Sequence, residues 1–240
     1  MSLRFIIKRI PVLFGLFFIC GCNGQTKDNT DYVYKKGDPN GIGKWYMGRE
    51  IAYVMGFQGI NWLERPEREE EENTSILLKN MNIKPTDVIA DIGAGSGYHV
   101  FKMAPMADEG TIYAGDIQDE MLQALQAKKE AEQIQNITII KGSEKSVNLP
   151  ANSVDKVLMV DVYHEFNYPK EMIASIKKAL KPDGKLFLIE YRGEDPTVPI
   201  KELHKMTEAQ AVKEMNAAGL VLERNDDNLP WQHCMVFSKK

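Results

Sequence analysis

From Val88 onward the chain alternates between two patterns: short unbroken apolar runs, and longer stretches with apolar residues three and four apart. The first pattern predicts strands buried on both faces, the second amphipathic helices. Strands are expected from Val88, at 111–116, 137–141, 154–161 and 185–191, and finally at 220–224 and 231–238. Helices are expected at 99–104, closed by Pro105, and at 119–133 with Met121, Leu122 and Leu125 on one face. Another follows Pro169, with the stripe Met172, Ile173, Ile176 and Leu180. Lys181-Pro182-Asp183-Gly184 is read as the stop of that helix and the turn into the next strand. Thr207 and Gln210 form a capping box for a helix through Ala218, closed by Gly219. This alternation argues for an α/β fold with a parallel sheet covered on both faces, and the last two strands read as a hairpin.

Residues 30–87 break the rhythm. They carry Trp45, Tyr46, Met47, Met55, Phe57 and Trp62 among glycines, then the charge run from Glu64 to Glu72. We read them as a helical lid leading into the core. Glu64 with Arg68 and Arg68 with Glu72 stand at i,i+4 spacing, which pairs them along a solvated helix face. In a sharper reading, Trp62, Arg65 and Arg68 close over a ligand crevice.

The 240 residues, 43% hydrophobic and 27% charged, have the make-up of a globular protein with one sizeable domain. The first 21 stand apart: Arg4, Lys8 and Arg9 precede the apolar run Ile10 to Ile19, too short for a comfortable membrane span, which reads as a secretory signal. Ile19-Cys20-Gly21-Cys22 resembles the lipobox of bacterial lipoproteins, which implies lipid on Cys22 and an exported, membrane-anchored chain on the periplasmic side. An uncleaved anchor facing the cytosol is the alternative. The polar stretch Asn23 to Asn29 serves as a linker. Without residues 1–21 the charge balance is 27 basic against 34 acidic side chains, a formal −7, so no footprint for nucleic acid is expected. Cys234 stands alone in the folded part; neither a disulfide framework nor a metal site is expected, and Cys234 reads as buried packing.

The chemistry concentrates where the first buried strand meets Asp91-Ile92-Gly93-Ala94-Gly95-Ser96-Gly97-Tyr98-His99. A strand ending in a glycine-rich turn that opens a helix presents bare backbone N–H groups to a ligand. The next strand ends in Asp116, 19 residues after Gly97, about where a βαβ nucleotide fold places an acid on ribose hydroxyls. Tyr98 occupies the third glycine position of a dinucleotide fingerprint, which disfavours a nicotinamide-dependent oxidoreductase.

With Asp91 two residues before Gly93, the segment resembles the glycine-rich motif of S-adenosylmethionine-dependent methyltransferases of the Rossmann-like class. The resemblance spans roughly residues 60–238. It implies a three-layer sandwich with a mostly parallel seven-stranded sheet and an antiparallel last strand, divided as signal (1–21), linker and lid (22–63) and methyltransferase domain (64–240). It implies further that Gly93, Gly95 and Gly97 admit the methionine part and ribose of S-adenosylmethionine, with Asp91 orienting the loop and the ammonium end. Asp116 then accepts both ribose hydroxyls and Ile117 packs on the adenine. Relatives have an aspartate after the glycine of Lys141-Gly142-Ser143-Glu144; here Ser143 stands in that place with Glu144 next. Asp161 opens the segment that flanks the transferable methyl, Asp161-Val162-Tyr163-His164-Glu165-Phe166.

Methyl transfer from a sulfonium is an in-line displacement, so alignment and exclusion of water supply much of the acceleration. A base serves only an acceptor that starts protonated. His164 is the candidate, with Glu165 or Tyr163 as orienters, whereas His99 at a helix start is expected neutral and structural. The chain is thus expected to methylate a small-molecule acceptor. The alternative is a tethered S-adenosylmethionine-binding module without catalysis, for which the Ser143 position speaks.

Overall fold

The computed structural model describes residues 31–240, so the signal, Cys22 and the linker lie outside the described residues. The described chain opens with three short strands, β1 (Tyr32–Tyr34), β2 (Gly41–Tyr46) and β3 (Arg49–Ala52), which form an antiparallel sheet of their own. Met47 and Gly48 make the two-residue turn between β2 and β3 with φ of 48° and 101°, both positive as a tight hairpin turn of this twist requires. Tyr32, Tyr46 and Ile51 form its small buried cluster. The lid expected over residues 30–87 is therefore helical only in its second half: α1 (Ile60–Leu63), α2 (Arg68–Glu72) and α3 (Thr74–Met81).

The buried apolar runs become the main sheet. Its strands are β4 (Val88–Ile92), β5 (Thr111–Asp116), β6 (Ile137–Lys141), β7 (Val154–Val160), β8 (Leu180–Arg192), β9 (Lys205–Met206), β10 (Leu220–Asn225) and β11 (Gln232–Lys239). Seven of them run in the order β10-β11-β8-β7-β4-β5-β6, and β9 adds a two-residue parallel pairing to β8. β4 to β8 are mutually parallel, and β11 is antiparallel to both β8 and β10. This is the expected Rossmann-like sheet with its antiparallel last strand.

Alternate residues of each strand serve opposite faces. Ile89, Leu158, Phe187 and Val236 pack with Leu77 and Met81 of α3, with α4 (Val100–Met103) and with Leu125 of α5 (Asp119–Ala131). Ala90, Met159, Leu188 and Met235 pack with Met172 and Ile176 of α6 (Pro169–Ala179) and with Ala211 and Met215 of α7 (Glu208–Ala217). Three layers result.

Two local expectations change. Lys181 to Gly184 does not separate helix from strand: β8 already pairs at Leu180 with Val154, bulges through these residues, and resumes with Lys185 opposite Lys156. The Thr207 box is half formed, because its hydroxyl accepts from the Gln210 N–H at 3.2 Å while the Gln210 amide turns to Glu214 at 2.6 Å. Among the described residues no helix is long and apolar enough to cross a membrane.

Candidate active site

The chain runs outward from β4 through β5 to β6, then returns to place β7 on the other side of β4. A crevice opens at the carboxyl ends of strands where the order reverses in this way, here between β4 and β7. The glycine turn sits there. Gly93, Gly95 and Gly97 have φ of 76°, 54° and 82°, which side chains rarely adopt. The Gly93 and Ala94 N–H groups donate to the Gly115 carbonyl at 2.8 and 3.0 Å, and the Gly95 N–H donates to Oδ2 of Asp116 at 3.0 Å. Asp116 thus ties the turn to β5. Its Oδ1 accepts from the Gln118 N–H at 2.9 Å, leaving each oxygen further acceptor capacity.

Asp91 lies 3% exposed, and its Oδ2 has no hydrogen-bond partner. Burial pushes its carboxyl up to about 7; the nearby Arg68 charge opposes this and the Asp116 charge adds to it. Oδ1 of Asp161 is likewise buried without a partner, although Oδ2 accepts from Gln232 at 2.6 Å. Burial, with Glu72 and Glu190 nearby, holds the Asp161 carboxyl well above the usual range.

One cavity of about 460 Å³ joins these groups. Gly93, Gly95, Asp116, Ile117, Ser143 and Glu144 line it toward β4, β5 and β6, and Asp161, His164 and Glu165 toward β7 and β8. Three of the residues read from sequence do not line it. Asp91 is one; Gly97 is another, packed against Phe101 and Leu125. Tyr163 is the third, and its expected role is corrected: the ring is 1% exposed and the hydroxyl donates to Glu214 at 2.7 Å, so it does not orient the His164 ring. Burial and the Arg68 and Lys102 charges hold His99 well below the ordinary imidazole range, so it is neutral.

At the β7–β8 side, His164 Nδ1 lies 2.6 Å from Glu190 Oε2 and Nε2 lies 3.0 Å from Nδ1 of His204. Glu190 Oε1 accepts the Tyr163 and His164 N–H groups at 2.9 and 3.3 Å. Burial disfavours the His164 imidazolium, but the Glu190 charge and hydrogen bond outweigh it and raise the pKa above its ordinary value. Burial and the His164 charge lower His204 to about 4. Glu165, fixed by the Met55 N–H at 3.0 Å, is pushed up to about 7 by burial, against the His164 charge. Both ring nitrogens of His164 are thus engaged, and His204 is the more exposed imidazole of the pair.

The charge run is a solvated face only in part: Glu64, Glu67 and Glu70 are exposed, but Arg68 and Glu72 turn inward. Arg68 and Glu72 are 4% and 2% exposed and meet at 2.6 Å; Glu72 also accepts from Arg65 at 2.5 Å and from the Tyr191 hydroxyl at 2.9 Å. Arg65 stacks on Trp62, and Trp62, Arg65 and Arg68 line the cavity, as the sharper reading has it. Glu64 faces Lys128 at 3.9 Å, not Arg68.

Sequence reading passed over His204, Glu190 as the His164 partner, and Arg49, which donates to the His164 carbonyl at 3.0 Å and to Glu214 at 2.9 Å. The available signal for Glu190 was a carboxylate inside an otherwise apolar strand.

Residues 90–188 match the family described as a methyltransferase domain. An uncharacterized methyltransferase of Bacillus subtilis (strain 168) is 28% identical over 142 residues, 59% of this chain and 76% of its own length. A ubiquinone/menaquinone biosynthesis C-methyltransferase of Wigglesworthia glossinidia brevipalpis is 27% identical over 119 residues; the match spans 49% of this chain and about half, 48%, of that relative. The crystal structure of a SAM-dependent methyltransferase from Aquifex aeolicus shares the fold, with a TM-score of 0.72 at 23% identity over 77% of this chain and 98% of that one. The sheet order, the glycine turn at its switch point and the family match define a methyltransferase domain of the Rossmann-like class. Residues 90–188 thus resemble a methyltransferase domain, for which S-adenosylmethionine is the implied cofactor.

The residues present fit that cofactor. Gly95 carries no Cβ where one would approach Leu63 of α1, two buried carboxylate oxygens wait without partners, and Asp116 keeps acceptor capacity at the end of β5.

Proposed function

We propose that the protein transfers a methyl group from S-adenosylmethionine to a small-molecule acceptor held against His164, Glu165 and His204. The observation that carries this reading is the single cavity running from the glycine turn and Asp116 to that cluster. When bound, the cofactor supplies an electrophilic methyl on a sulfonium. Asp116 accepts the ribose hydroxyls, the glycine turn holds the amino-acid end with Asp91 buried behind it, and Ile117 packs on the adenine. Ser143 and Glu144 stand at the adenine rim in place of the aspartate of relatives. Asp161 and the backbone after β7 face the transfer zone, while Trp62 and Arg65 of the lid exclude water, which leaves alignment as the main source of acceleration. His164, Glu165 and His204 meet the charge or proton of the acceptor. On the strength of the Arg4–Cys22 pattern, the enzyme is tethered at a membrane through lipid on Cys22.

Calorimetric titration of the full-length chain with S-adenosylmethionine and S-adenosylhomocysteine tests the cofactor site. Micromolar affinity, about −8 kcal/mol, is expected, with a loss of at least tenfold in Asp116→Ala. A well-folded chain that binds neither compound sinks the proposal. Binding with no release of S-adenosylhomocysteine across an acceptor screen favours the tethered binding module.

A further inference from the structure

We propose that His164, Glu165 and His204 form a binding site for a divalent first-row transition-metal ion, with Glu190 as the outer partner of His164. The sequence reading expected no metal, because Cys234 stands alone in the folded part, and it passed over His204, 40 residues from His164. The fold brings them together. β9 pairs in parallel with the end of β8, Lys205 level with Tyr191, which sets His204 beside Glu190.

Three features point to an ion. One ligand atom from each residue lies within 4.8 Å of the others. The two imidazole nitrogens are 3.0 Å apart; nitrogens about 2.1 Å from a common ion stand roughly 3.0–3.4 Å apart for angles between right and tetrahedral. Glu165 Oε1 lies 3.9 and 3.8 Å from them, so a small side-chain rotation completes the set. Second, Glu190 holds Nδ1 of His164 at 2.6 Å, the carboxylate–histidine arrangement that orients a metal-bound imidazole and raises its basicity. Third, all three ligands line the cavity, so positions not filled by protein open toward it, as catalytic ions require. Two imidazoles and a carboxylate suit zinc, iron(II) or manganese better than calcium or magnesium.

The consequence for substrate, which rests on the methyltransferase reading, is an acceptor that presents an oxygen donor. A hydroxyl on the ion loses its proton to water more readily than a free one, and in the loaded state the imidazoles coordinate and do not shuttle protons.

The test is titration of the chelator-stripped full-length chain with ZnCl₂, beside His204→Ala, Glu165→Ala and Glu190→Gln. One zinc per chain is expected, with affinity at least 100-fold lower in the first two variants and about 10–100-fold lower in Glu190→Gln. Zinc-edge X-ray absorption of the loaded wild-type chain should show nitrogen and oxygen ligands including two imidazoles, which separates this site from any cysteine ligation and needs no variant to fold. Absence of a stoichiometric ion, sulfur ligation, or unchanged affinity in His204→Ala overturns the site. S-adenosylhomocysteine binding, measured in parallel, keeps the two readings apart: zinc without cofactor sinks the methyltransferase reading and leaves the metal site standing, and the converse removes only the metal.

Discussion

The Glu190 carboxylate lies 2.6 Å from Nδ1 of His164, and the two side chains are 0% and 2% exposed. The same carboxylate accepts the backbone N–H groups of Tyr163 and His164. Glu190→Ala therefore strands three buried donors and is expected to cost about 3–5 kcal/mol. For a chain of this size that lowers Tm by roughly 10 °C. Glu190→Gln, which keeps an acceptor for the backbone, should lose clearly less. Calorimetric melts of both variants check the ordering; equal losses would show that the backbone bonds contribute nothing.

Asp91 gives a pH dependence. Its folded carboxyl sits near 7, above the unfolded value, so the folded state keeps a proton that the unfolded state has released. The sign follows: this contribution favours folding below about pH 4, falls away as pH rises from about 4 to 7, and is constant above. Asp91→Asn should thus match the wild type at pH 4 and exceed it at pH 8 by on the order of a few kcal/mol. The same variant should bind S-adenosylhomocysteine more weakly, since the negative charge behind the glycine turn is lost. Urea melts at the two pH values and one titration test this opposition of stability and affinity.

The glycines of the turn differ in what they forbid. A Cβ at Gly97 would stand 2.6 Å from the Phe101 ring and 2.7 Å from Leu125, inside the core; at Gly95 it would stand 2.6 Å from the tip of Leu63. Gly97→Ala is expected to cost about 1–3 kcal/mol from overpacking, plus roughly 1–2 kcal/mol for the left-handed backbone. Gly95→Ala pays the backbone term and displaces a lid side chain, so it should impair cofactor binding more than folding. Paired melts and titrations distinguish them.

Burial pushes the Cys234 thiol up to about 11, and the side chain is fully enclosed. At pH 8 roughly one thiol in a thousand is then ionised, so iodoacetamide should spare the native residue and modify it readily after unfolding. Mass spectrometry of the peptide spanning residue 234 reads this directly; rapid native labelling would place Cys234 at a surface.

The central sheet was legible because strands buried on both faces must be apolar throughout, and those of β4, β5, β7 and β11 are bounded by glycine, proline or polar turns. The small sheet at residues 32–52 was not. Its turn is Met47-Gly48, where the usual signal is Asn-Gly, and its strands, Tyr-Val-Tyr, Gly-Ile-Gly-Lys-Trp-Tyr and Arg-Glu-Ile-Ala, are short and lack a two-residue apolar alternation. In the site, Asp116 and the glycines could be read because their spacing along one βα unit fixes them in space. His204 and Arg49 could not: they reach the cluster from the turn before β9 and from β3, through contacts 40 and 115 residues from His164 in sequence. The Arg68–Glu72 pair has the expected spacing, but only the fold decides that it faces inward.

The small sheet has a mechanical meaning. Arg49 grips Glu214 and the His164 carbonyl, Met55 hands its N–H to Glu165, and Phe57 hands its own to Gln118 beside Asp116. Residues 49–57 therefore fasten the small sheet to both ends of the cavity, while Asp31 and Tyr32 fasten it to Lys170 and Glu171 of α6. Loss of the small sheet thus frees the Glu165 carboxylate and the Gln118 corner together, while the pairing of β4 with β5 and β7 does not depend on it.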